Sequence, residues 1–138
     1  MATDFLARSD TLEQCYEFML AYAGQGLPSE QGSAAGGQIR DFLERAAQAL
    51  RGLADSCLLA VSEQQLEPAA QYQAFVSTLD RDAQDSLRAI ELVLAQTVIS
   101  SQLIDNLNAS MHLRALLTDL FLIGEILEAR IGSVSSAS

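Results

Sequence analysis

Two stretches of about thirty residues, Pro68–Thr97 and Ser101–Gly132, repeat apolar residues at helical spacing and are joined by only a few residues. As helices each would run ~45 Å. Held by so short a link they must lie antiparallel, which is half of an up-and-down bundle. Ala and Leu dominate the 49% of apolar residues, and strand-favouring aromatics are scarce, with three Tyr, five Phe and no Trp. The class that follows is all-α.

The amino-terminal half supplies the remaining rods. A first helix opens at Asp10, with Glu13 completing a capping box, and stops at Gly24. Leu12, Cys15, Tyr16, Met19 and Tyr22 share its face, and Phe5 and Leu6 extend it as a loose extra turn. A second helix spans Gln38–Ser62 on the stripe Ile39, Phe42, Leu43, Ala46, Leu50, Leu53, Cys57 and Val61, with Asp41 and Arg45 as an outer i,i+4 pair. Between the two, Gly24–Gly37 holds five glycines and a proline, a composition that reads as a flexible connection. Pro68 opens the third helix, whose stripe of Tyr72, Phe75, Val76, Leu79, Ala83, Leu87, Ile90, Val93 and Leu94 reads as core, while Arg81, Asp85 and Arg88 ladder its solvent side.

The fourth helix, capped by Ser100 or Ser101, is less regular. Leu103, Ile104, Leu107 and Met111 point one way, whereas Leu116, Leu117, Leu120, Ile123, Leu127 and Ile131 centre on a face rotated by more than ~90°. The helix must bend near Ser110, change partners there or be buried on more than one side. The whole is expected to be an up-down-up-down four-helix bundle with a long Gly-rich loop between helices 1 and 2. Residues 1–132 form its single domain and 133–138 a disordered tail.

Charge narrows the partners. Eighteen carboxylates against eight arginines, with no lysine, give −10. That balance repels phosphate backbones and anionic lipid, so neither nucleic acid nor membrane is expected as a partner. Without lysine there is no Schiff-base or P-loop chemistry. The Gly-rich loop could place a phosphate at a helix amino terminus beside Arg40, but it matches neither phosphate-binding glycine pattern. Met1–Ala7 lacks the basic and apolar regions of a secretory signal, and Arg114, Asp119 and Glu125 interrupt the most apolar segment, so a cytoplasmic protein is expected. Cys15 and Cys57 have no CxxC spacing and read as free, buried core thiols.

One polar line remains on helix four. Asp105, Asn108 and His112 fall within ~60° of one another, and Asp119 continues the line. It reads as a solvated face, with a buried hydrogen-bond layer or an interior site as alternatives. A second histidine is lacking and no Glu-x-x-His pair accompanies His112, so no metal or cofactor is expected. Ala115 stands where a phosphotransfer histidine would have a lysine. No nucleophile has the setting it needs, so the chain is expected not to be an enzyme. The small, acidic, all-helical profile is similar to that of bacterial secretion chaperones and other cytoplasmic adaptors in composition, with no shared motif.

The function expected is binding, to a protein partner or to a second copy in a homo-oligomer. Helix four carries more apolar circumference than two-sided packing uses, which leaves Leu103, Ile104, Leu122 and Ile126 as the candidate interaction face. The alternative is a bundle that holds a small molecule or ion in its interior near His112.

Overall fold

The computed structural model describes residues 2–34 and 36–137, without the side chains of residues 2 and 133–137. Every regular element among them is a helix: α1 (Ala2–Gly24), α2 (Gly36–Leu50), α3 (Leu53–Glu63), α4 (Ala69–Leu94), α5 (Ser101–Asn108) and α6 (Met111–Ala137). The chain is all-helical as expected, but the four expected helices are six, because the second and fourth are each broken in two.

The first break is at Arg51–Gly52. Gly52 adopts a left-handed φ of 81°, a conformation that costs glycine little and other residues more. The carbonyls at the end of α2 are taken up by Arg8 of α1, whose Nη1 donates to Gln48 (3.3 Å), Ala49 (3.1 Å) and Arg51 (2.7 Å). This satisfies orphan acceptors and sets a positive charge at the negative end of the helix dipole. Asp4 steadies the guanidinium through Nε at 3.0 Å and accepts the Ser56 hydroxyl at 2.5 Å. The Ser56 hydrogen bond first, and then Arg8, hold the Asp4 carboxyl below its ordinary range. The same contacts explain why α1 begins at Ala2 and not at Asp10. Phe5 is fully buried, and that burial together with the Asp4–Arg8 pair carries the helix back past Asp10, which is an exposed mid-helix residue.

The second break, at Ala109–Ser110, lies where the apolar face swings. Ser110 caps the new helix: its Oγ accepts the Leu113 N–H at 3.3 Å and its carbonyl the Arg114 N–H at 3.2 Å. Upstream, Ser100 caps α5 by accepting the Leu103 N–H. Pro68 sits at the N-cap of α4, one residue before the helical position expected for it.

Between α1 and α2 the chain is fastened at several points, unlike the flexible connection its glycines suggest. The Leu27 N–H donates to Ser101 Oγ and the Leu27 carbonyl accepts the Ser101 N–H, both at 2.8 Å. The Ser101 hydroxyl in turn donates to the Tyr22 carbonyl at 2.6 Å. Glu30 accepts the Ile99 N–H at 3.0 Å and pairs with Arg40 at 2.7 Å. Gly36 is buried, because the backbone of Glu30 lies directly against it.

Packing follows the faces read from the sequence. α1 lies on α2, α3 and α5, and α4 on α2, α3 and α6. Leu50, Leu53, Leu79, Ile90, Leu117 and Leu120 are all buried in the core between them. Leu79→Ala should therefore cost ~2–5 kcal/mol through transfer and cavity terms, measured as the loss of stability in urea unfolding. A loss below ~1 kcal/mol would mean that Leu79 does not face the core. Cys15 and Cys57 are free and buried, and burial pushes both thiols up to about 12, where they are inert.

The α6 backbone continues to Ala137, beyond the Gly132 end expected for it. The sequence predicts a disordered tail over 133–138; its side chains and Ser138 lie outside the described residues. Among the described residues no helix is long and apolar enough to cross a membrane.

Candidate interaction groove and acidic seam

α4 and α6 run side by side, and their seam changes character along its length. Where α4 begins, Tyr72 and Phe75 lie at helical spacing on the flank next to α6. Opposite them stand Leu122 and Ile126. With Pro68, Gln71 and the buried Ile123 these side chains enclose an open groove of about 330 Å³ whose lining is almost wholly apolar. Leu122 is 55% and Ile126 43% exposed, large values for side chains of this kind. They are what remains after α6 has turned Leu116, Leu120, Ile123 and Leu127 into the core.

The other two residues of the expected face are not part of it. Ile104 is 0% exposed and Leu103 is half-buried against the core. The break at Ala109–Ser110 is the cause. It frees α5 from the direction of α6, and α5 lies along α1 with Ile104 and Leu107 inward.

The same break divides the polar line. Asp105 is exposed, Asn108 is buried, His112 is 57% exposed and Asp119 is only 7% exposed, so the four do not form one face. His112 lies on the surface with its Nδ1 3.7 Å from Asp85, which also pairs with Arg88 at 3.4 Å. It is not an interior residue. Asp119 is the unusual member. Burial, then a hydrogen bond with Asp82 of α4, then the charge of Asp82 push its carboxyl up to about 7. Two adjacent carboxyl groups in a partly dry seam cannot both ionise cheaply, so Asp119 keeps its proton at mildly acidic pH and gives it up near neutrality. Among the described residues Asp119 Oδ2, Ser86 Oγ and both polar atoms of the Asn108 amide have no hydrogen-bond partner. Such groups weaken the α4–α6 seam and its neighbour α5 relative to a satisfied core.

Arg40, a candidate for phosphate, is fully engaged. Besides Glu30 it donates to the carbonyls of Leu94 at 3.1 Å and Gln96 at 2.7 Å, closing the end of α4. It clamps the loop, and no free guanidinium is left at the amino terminus of α2. Nor, among the described residues, do three His, Cys, Asp or Glu side chains converge as a metal site would need.

Sequence reasoning passed over Asp82, Tyr72 and Phe75 as parts of a site. Tyr72 and Phe75 read as core because periodicity gives a direction and not the distance to the next helix. The signal for Asp82 was available: three residues before the solvent-facing Asp85, it lies ~60° round the helix toward the core. Compared with known proteins, the chain matches no family model, no curated protein and no solved structure.

Proposed function

We propose that the chain is a non-catalytic protein-interaction module that binds through the groove between the start of α4 and the second half of α6. Its scaffold, in this reading, is an up-down-up-down bundle of four rods, two of them jointed: α1, α2 with α3, α4, and α5 with α6. The packing of α1 and of α4 on both jointed rods supports that arrangement. Cytoplasmic placement suits two free buried thiols and an acidic surface.

One observation carries the function. Leu122 and Ile126 stand in water on the wall of a concavity otherwise lined by Tyr72, Phe75 and Pro68. Burying each large apolar side chain contributes roughly 1.5–3 kcal/mol, so this handful suffices to grip a partner helix or a second copy. The exposure of His112 removes the support for an interior site beside it.

A photo-reactive residue in place of Ile126 tests the reading in the protein's native cell, with the exposed Gln48 of α2 as the control position. Cross-links to one protein, or to a second copy of the chain, from position 126 and not from 48 are expected. Ile126→Asp should abolish the corresponding complex in sedimentation while leaving helicity intact. Equal cross-linking from both positions, or a complex that survives Ile126→Asp, would contradict it.

A further inference from the structure

The groove has a charged flank. α6 carries Glu125 one turn from Leu122 on its outer side, and Glu128 beyond it toward α1. There α1 and α6 enclose a second concavity of about 250 Å³, to which Asp10 and Glu13 of α1 contribute with Glu125 and Glu128, and which no arginine lines. Burial and the neighbouring charges of Asp10, Glu128 and Glu17 push the Glu13 carboxyl up, a sign of crowded like charge. Phe121, 59% exposed, stands at the same rim, and Gly124 leaves open space where a side chain would otherwise fill it. An apolar wall thus faces α4 and an anionic one faces α1, with only the width of α6 between them.

We propose that the segment seated in the α4–α6 groove is an amphipathic helix of a partner protein whose outer flank carries lysine or arginine. This rests on the groove being a binding site and adds the chemistry of its occupant. The apolar stripe of such a helix fills the space beside Tyr72, Phe75, Leu122 and Ile126. Its cationic side chains cross α6 with their stems on apolar surface and their heads at Glu125 and Glu128, and the face of Phe121 offers a further cation contact. Charge complementarity selects this occupant over a second copy. A second copy would bring a further net charge of −10 to an already crowded acidic flank. An acidic or neutral helix would satisfy the apolar wall and leave the carboxylates crowded.

Three fluorescently labelled peptides of about 16 residues, long enough to fold on binding, test the proposal by anisotropy. The first has leucines on one face and lysines elsewhere, the second has glutamate for each lysine, and the third keeps the lysines with the leucines shuffled off a common face. The first should bind at least about tenfold more tightly than either other, increasingly so as salt is lowered. Glu125→Gln with Glu128→Gln should weaken it about tenfold at low salt and reduce its advantage over the glutamate peptide. Leu122→Asp, or Ile126→Asp should Leu122→Asp fail to fold, should remove binding. Equal binding of the glutamate peptide would overturn the basic flank while leaving the groove in place. Equal binding of the shuffled peptide would overturn the helix-in-groove geometry. Failure of all three, with a dimer that dissociates in Leu122→Asp, would show a second copy as the occupant. Failure of all three in a protein that remains monomeric would overturn the groove reading as well.

Discussion

Gly36→Ala is expected to destabilise the protein by at least ~3 kcal/mol, although it adds a single methyl group at the start of a helix. A Cβ there would overlap the Glu30 carbonyl oxygen outright and stand 2.7 Å from the Glu30 Cα, so backbone must move. Glu30 cannot retreat cheaply. Its carboxylate holds the Ile99 N–H and Arg40, and Arg40 holds the Leu94 carbonyl at the end of α4 and the Gln96 carbonyl just beyond it. Displacing it loosens the α1–α2 connection, the amino terminus of α2 and the α4–α5 turn together. The adjacent Gly37→Ala is the internal control: a Cβ there meets nothing within 4 Å. It should be neutral or stabilise by up to ~1 kcal/mol, as alanine does in a helix. Urea midpoints of the two variants compare them, and similar midpoints would show that Glu30 does not press on Gly36.

The second large effect is one of pH. Asp119 has a folded pKa of about 7 against an ordinary 3.8, so between those values the folded state binds more protons than the unfolded chain. Its contribution is fully present near pH 4 and is lost as pH rises through about 7. At about 1.4 kcal/mol per pKa unit the ceiling over the whole interval is ~4 kcal/mol, and a loss of about 2–3 kcal/mol between pH 5 and pH 8 is expected. Asp4 and Glu30 act in the opposite sense. Burial raises Glu30, but hydrogen bonds from Ile99 and Arg40 outweigh it, and both carboxyls sit below their ordinary values. Stability from that pair is present above their ordinary values and is lost only as pH falls through the lowered ones. The maximum should therefore lie between about pH 4 and pH 5. Asp119→Asn supplies a permanent donor to Asp82, so it should remove most of the slope and raise stability at pH 8 by ~2–4 kcal/mol. A wild type equally stable at pH 5 and pH 8 would contradict the raised Asp119 carboxyl.

The core was legible because its signal is redundant. Leu50, Leu53 and Cys57 keep the three-and-four spacing straight through the break at Gly52. The same redundancy hid the break, since a stripe that stays in register gives no sign that the backbone has left the helix. Only Gly52 itself marked the place. At Ser110 the register does change, and there the bend could be read. What could not be read was its consequence: a helix cut at Ala109 can rotate freely, so Ile104 and Asn108 moved inward while Asp105 stayed in water. Loop glycines likewise advertise freedom, whereas the partners that remove it, Ser101, Ile99 and Leu94, lie more than fifty residues away in sequence. Half of the candidate face, Leu122 and Ile126, was visible as surplus apolar residues of α6. The wall opposite, Tyr72 and Phe75, needed the separation of α4 from α6, which is a tertiary quantity.

The most direct measurement is titration with a dye that fluoresces on apolar surface, performed on the wild type and on Leu122→Asp/Ile126→Asp at equal helicity by circular dichroism. The groove between α4 and α6 predicts saturable binding to the wild type that is lost in the double variant. Binding unchanged by the two substitutions, or none to a monomeric wild type, would contradict the account.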